Sequence, residues 1–257
     1  MISWVMPAVA LMVMLAGCAT TNKKPPEVWV APPYVGWADI SAQSMPDVNQ
    51  EYKLLASEPT KGLFPAAIAV TRVSREKTEE DEPGAPPKPR ISVHPKNETL
   101  RFNSAFDDLV ALSEVFPIAQ RTLGGGDAVP SQILAAYRAL DARIGLIYAV
   151  NELSPAETEV IAVLYEVRTG RPLACYHCAE ASKLPPDEAE KNARKVDYWE
   201  TDSKAISRRT FERLVHASLR ELILRDEPAP LEDKSSWTPI VPPLRPEWPP
   251  TKERNGK

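Results

Sequence analysis

Proline distribution sets the limits on where this chain folds. Most of its 27 prolines crowd into 25–33, 83–95, 185–186 and 228–250. A residue with no N–H and a fixed φ keeps those stretches out of helix interiors and sheet centres. What remains, roughly 64–225, is an ordinary size for one domain.

Within that window the apolar residues alternate between two periods. Phe64–Val73 is rich in β-branched residues and predicts a first strand. Phe106, Leu109, Val110 and Leu112 have helical spacing over Ser104–Ser113, with Asn103 or Ser104 as cap, and a short strand is expected over 114–122. Pro130 suits a first helical turn, and Ile133, Leu134, Tyr137 and Leu140 lay an apolar stripe along the helix after it. Ile144–Val150 and Val160–Val167 are almost continuously apolar, as strands covered on both faces are. Arg168-Thr169-Gly170-Arg171 reads as a tight turn, and Pro172–Ala181 returns as the partner strand. Asp202 or Ser203 caps a last long helix whose face carries Phe211, Leu214, Val215, Leu219, Leu222 and Ile223. Strands alternating with helices predict an α/β domain, α+β in arrangement. We expect a single mixed sheet of about five strands with helices packed on it, flanked by Pro-rich extended segments.

Three segments stand apart from the domain. The N-terminus is apolar from Val5 to Leu15, the length of a signal-peptide core and too short to span a bilayer. It ends in Leu15-Ala16-Gly17-Cys18, which resembles the lipobox of bacterial lipoproteins. Small residues admit the peptidase to the backbone, and the Cys18 thiol is where the diacylglycerol attaches. The expectation is therefore a signal peptide at 1–17 and a lipidated tether at 18–62. Two or more acyl chains make a stable anchor. Position 19 is Ala rather than Asp, which by the enterobacterial sorting rule implies the outer membrane. Trp29, Tyr34 and Trp37 punctuate the tether and are expected to dock on the domain. Inside the domain, Glu76, Glu79, Glu80, Asp81 and Glu82 followed by prolines predict a disordered insertion at 75–99. Beyond Arg225 comes a Pro-rich tail, 226–257, where Trp237 and Trp248 alternate with prolines as in segments that dock in aromatic grooves.

The segments Phe64–Val73, Ala142–Asn151 and Val160–Leu173, with its Tyr-Glu-Val-Arg-Thr-Gly turn, carry a likeness. The pattern resembles the small α/β domain shared by three envelope groups. These are the curli secretion-channel lipoprotein, the amino-terminal domain of the Tol–Pal system's β-propeller protein, and lipoprotein activators of penicillin-binding proteins. The resemblance implies action by binding partners or by assembly in the envelope, and it carries over no catalytic residue.

The residues themselves offer little chemistry. Cys175-Tyr176-His177-Cys178 is a C-x-x-C motif, open to four readings: structural thiols, a local disulfide, half a metal site or a redox pair. On a strand, residues three apart face opposite sides and sit roughly 10 Å apart, beyond the about 7 Å that a disulfide spans. A zinc site needs two further ligands, and His94 and His216 have no ligand spacing. Glu152 and Glu157 flank a strand turn without a nucleophile motif beside them. Gly124–Gly126 lacks the lysine of a phosphate loop. With 31 basic and 35 acidic residues, net −4, the chain has no excess of cations to offer a nucleic acid.

The sequence-based expectation is thus a non-enzymatic, periplasm-facing outer-membrane lipoprotein. It needs no cofactor beyond the covalent lipid on Cys18, and its partner is an envelope protein or a second copy. The alternatives are a periplasmic thiol–disulfide protein using Cys175 and Cys178, and a secretion-pore subunit.

Overall fold

The computed structural model describes residues 29–46, 52–77, 82, 84–92, 96–123, 127–185, 188 and 202–226. The chain divides into Met1–Val30, of which Trp29 and Val30 are described and carry no regular structure, and Ala31–Lys257, which holds every element below.

Among the described residues, four helices, seven strands and a 3₁₀ turn follow in the order α1 (Trp37–Ile40), β1 (Tyr52–Leu54), β2 (Ala66–Glu76), β3 (Lys88–Ile91), α2 (Lys96–Ala105), β4 (Leu112–Pro117), the 3₁₀ turn Gln120–Leu123, α3 (Pro130–Ala139), β5 (Ile144–Ser154), β6 (Glu157–Glu166), β7 (Arg171–Ala181) and α4 (Asp202–Arg225). The strands form one mixed sheet in the order β1-β7-β6-β5-β2-β3, with β4 also on β2. β2 runs parallel to β5 on one side. On its other side β4 runs parallel to its first half and β3 antiparallel to its last. β5, β6 and β7 make an antiparallel meander.

The meander occupies the middle because its strands have no polar face to show to water. β6 is buried from Thr158 to Tyr165. One face packs Ile68, Val70, Leu146, Leu164 and Ala174 under Phe106 of the turn after α2 and Val215, Leu219 and Leu222 of α4. Its centre is an aromatic cluster, in which Phe102, Tyr148, Tyr176 and Phe211 meet with ring centroids 5.6–6.3 Å apart. α4 sits close because its sheet-facing row begins with Ser203 and Ser207, whose hydroxyls bond Thr158: the Ser207 hydroxyl donates to the Thr158 carbonyl at 2.8 Å. The other face packs Ala69, Ile147, Ala149, Ile161 and Val163 under Ile133, Leu134 and Tyr137 of α3 and under Val35 and Ile40. A close approach fixes one glycine here. A Cβ on Gly145 would stand 2.4 Å from the buried Tyr137 ring, whose hydroxyl donates to the Leu146 carbonyl.

The α+β class, the single mixed sheet and the turn before β7 match the expectation, and Gly170 adopts φ 72°, the left-handed region such a turn needs. The sheet has seven strands where about five were expected. The two extra edge strands arise where proline and charge mask them: β1 in the stretch read as tether, and β3 in the stretch 75–99 read as disordered. Both have three or four residues, too few to display a period of two, and Pro89 is tolerated because β3 is an edge. β2 continues to Glu76, into the same stretch. The helix expected over Ser104–Ser113, with Asn103 or Ser104 as cap, lies instead at Lys96–Ala105, so those two residues fall in its last turn, and Phe106 and Leu109 bury from the turn that follows it. The strand expected over 114–122 stops at Pro117, where the chain winds into the 3₁₀ turn. The acidic residues 79–81, Gly124–Gly126 and the tail from 227 lie outside the described residues.

Candidate functional site

The most elaborate polar arrangement lies on the α3 face, where β5, β6 and β7 run beneath the segment Ala31–Ser41. Asn151, at 4% exposure, ends the apolar run of β5. Register places Glu159 of β6 directly opposite it. His177, on the neighbouring strand β7, is opposite Ile161, two residues further along β6. The side chains then meet. Asn151 Nδ2 donates to Glu159 Oε2 at 2.9 Å, and His177 Nε2 stands 2.9 Å from Glu159 Oε1. Asn151 also grips the segment above: its Oδ1 accepts from the Val35 N–H at 3.0 Å, and its Nδ2 donates to the Val35 carbonyl at 3.0 Å. A primary amide thereby imitates a neighbouring strand, satisfying both backbone groups of a buried residue. Burial first, then the nearby Glu159 carboxylate, push the Tyr34 phenol up to about 12.

Two further clamps hold the same segment. The Tyr165 hydroxyl donates to the Ile40 carbonyl at 3.0 Å, and burial pushes this phenol up to about 12. The Arg75 guanidinium pairs with Asp39 through two bonds, 2.7 Å from Nη2 and 3.1 Å from Nε. The bond to Asp39 raises the Arg75 pKa despite partial burial. With Val35 and Ile40 buried, the segment is a strap bound across the sheet. Trp37 docks on the apolar face, as expected of the tether aromatics, while Tyr34 stays about half exposed.

Glu159 takes bonds from Asn151 and His177, and Asn151 uses both ends of its amide. The arrangement holds a segment in place. Among the described residues no group of three His, Cys, Asp or Glu side chains is placed to hold a metal ion, and no helix is long and apolar enough to cross a membrane.

The residues singled out from the sequence lie apart. Cys18 and His94 are outside the described residues. Cys175 and Cys178 are both on β7, fully buried, and both thiols are free. As strand geometry requires, they face opposite sides: Cys175 packs on the α3 face and Cys178 on the α4 face. Burial, with Glu180 and Glu159 adding repulsion, pushes the Cys178 thiol up to about 12, and burial also raises Cys175. Both stay protonated, the opposite of the low-pKa thiolate that thiol exchange uses. His216 of α4 bonds Asp108 at 2.8 Å, far in sequence from either cysteine. Glu152 pairs with Lys204 of α4 at 2.5 Å, while Glu157 is exposed at the start of β6.

Asn151, Glu159 and the role of His177 were missed in the sequence. The signal was present in part: Asn151 and Glu159 are the polar residues bounding the two apolar runs, and a short turn at Pro155-Ala156 forces them into register. Nothing in the sequence says that Val35 sits above them.

No family model matches the sequence, and no curated protein matches it. Solved structures that align with it include the PelC dodecamer from Paraburkholderia phytofirmans, at 13% identity over 56% of this chain and 93% of that one, with TM-score 0.31. Protein XCC0632 from Xanthomonas campestris, described by family-model DUF330, aligns at 11% identity over 65% of this chain and 92% of that one, with TM-score 0.29. The hypothetical protein CT253 from Chlamydia trachomatis aligns at 12% identity over 62% of this chain and 99% of that one, with TM-score 0.30. Likeness at this level carries no argument about family or activity, and none of these three comes from the groups that the sequence pattern resembles.

Proposed function

We propose that this chain is a lipoprotein of the outer membrane, facing the periplasm, which acts by binding an envelope protein or copies of itself and catalyses no reaction. The anchor is the lipid on Cys18, expected from Leu15-Ala16-Gly17-Cys18 at the end of the apolar run. The observation that carries the reading is the Asn151 clamp on Val35. The end of the tether expected after Cys18 is clamped to the sheet, at Val35 by Asn151, at Asp39 by Arg75 and at Ile40 by Tyr165. A domain whose buried polar groups serve to hold its own tether is built to be displayed at a membrane. The Pro-rich tail 226–257 is the part best suited by composition to reach a partner.

The test has two arms. In cells given labelled palmitate, the wild type takes up label and Cys18→Ala does not; label persisting in Cys18→Ala refutes the anchor. In a crosslinking pull-down from intact cells, the full chain captures a specific envelope protein or itself. A chain ending after Pro228 then tells whether the tail or the domain makes the contact. That endpoint keeps Asp226, whose carboxylate accepts from Thr60 and from the N–H groups of Leu63 and Phe64. Capture of nothing above background, or turnover of a substrate by the purified protein, overturns the binding role.

A further inference from the structure

At the end of the sheet where β2 and β5 begin and β6 turns into β7, a cavity of ≈ 390 Å³ opens to solvent. Four cations line it: Lys61, Arg138, Arg143 and Arg168. Two carboxylates, Asp141 and Glu166, line it as well, but Glu166 is paired with Arg171 at 3.4 Å. None of the four cations pairs with a carboxylate among the described residues. This concentration of positive charge stands out in a chain whose net charge is −4.

Two of the cations are also held in place. Arg138 Nε donates to the Val167 carbonyl at 2.8 Å, and Arg143 Nη1 donates to the Gly62 carbonyl at 3.2 Å. The Gly62 loop is fixed from its other side by Asp226, which takes the N–H groups of Leu63 and Phe64 at 3.1 Å. Each of these guanidiniums spends one N–H on a carbonyl and keeps the rest of its fork for an acceptor. Four like charges around one cavity repel one another, and an anion there relieves the repulsion.

We propose that this cavity is a binding site for an oxyanion of the phosphate class. Four cations against Asp141 and the Arg171-paired Glu166 leave a surplus of at least two charges, which a phosphate monoester carrying about −1.5 to −2 offsets far better than a single carboxylate does. The phosphate source is either a free phosphate compound or the headgroup of an anionic lipid, which share this chemistry.

The experiment uses the full chain with Cys18→Ser, so that no lipid anchor contributes, folded as judged by circular dichroism. Calorimetric titration is made with inorganic phosphate, pyrophosphate and acetate at one ionic strength, and co-sedimentation with phosphatidylglycerol or phosphatidylcholine vesicles. Lys61→Gln with Arg168→Gln removes two cavity cations that bond nothing else among the described residues. Arg213→Gln with Arg220→Gln removes the same charge from the exposed side of α4. The proposal expects phosphate and pyrophosphate, or phosphatidylglycerol vesicles alone, to bind. Affinity then falls at least about tenfold in the cavity pair, and stays within about twofold in the α4 pair. Free-anion binding identifies a soluble source, and vesicle-only binding identifies a headgroup. No binding to any of these probes, equal binding of acetate, or equal losses in both pairs overturns it.

Discussion

Replacing Asn151 by Ala tests the strap directly. The substitution deletes three hydrogen bonds of 2.9–3.0 Å and leaves the Val35 N–H, the Val35 carbonyl and one Glu159 oxygen without that partner. A buried polar group left unpaired costs about 1–3 kcal/mol, so three of them set a ceiling near 9 kcal/mol. The chain has a cheaper response, which is to release the strap to water. Release gives up the burial of Val35 and Ile40, about 1.5–3 kcal/mol each, and the Tyr165 and Arg75 bonds. Chain entropy recovered by the freed residues offsets much of that loss. Three bonds at about 1 kcal/mol net each put the expected loss at about 3 kcal/mol, with the strap detached and the sheet intact. Urea unfolding measures the first quantity, and hydrogen exchange of peptides covering 31–41 measures the second. Exchange in the strap should accelerate far more than in β5 and β6. A loss below about 1 kcal/mol with the Val35 amide still protected would refute the reasoning, since the clamp would then be incidental to the strap.

Other perturbations probe other parts of the fold. Gly145→Ala drives a methyl into the Tyr137 ring at 2.4 Å and should cost about 2–3 kcal/mol in thermal or urea unfolding, because Tyr137 is buried and cannot step aside. Asp226→Ala frees two backbone N–H groups and Thr60 at the entry to β2, and should cost about 2 kcal/mol and speed amide exchange at Leu63 and Phe64. The folded Cys178 thiol ionises near 12 against 9.0 for the free group. Its contribution to stability is thus complete below about 9 and is lost as pH rises from there toward 12, by roughly 1.4 kcal/mol per pH unit. Cys178→Ala should flatten that alkaline decline in urea titrations at pH 8 to 11. Both cysteines should resist a thiol reagent at pH 8 in the native protein and react once it is unfolded in urea; fast native labelling would contradict their burial.

Much of the fold is local, and the sequence by itself determined it. The unbroken apolar runs of β5 and β6 require a place covered on both faces, the Gly170 turn returns β7 beside β6, and the apolar stripe of α4 needs a sheet to lie on. Strand alternation alone also settled the geometry of Cys175 and Cys178, since residues three apart on a strand point to opposite faces. What the sequence left open depends on partners distant along the chain. β1 and β3 are strands because β7 and β2 offer them an edge, and neither has the length or composition to announce itself. Asn151 and Glu159 look like ordinary strand-end polar residues until Val35, more than a hundred residues earlier, is laid across them. Lys61, Arg138, Arg143 and Arg168 are four unremarkable surface cations in the sequence, and they share a cavity only because β2, α3, β5 and the β6–β7 turn all reach the same end of the sheet. Hydrophobic period and turn chemistry act between near neighbours and can be read from a string. Side-chain clamps and charge clusters join points far apart in it, and only the tertiary structure brings those together.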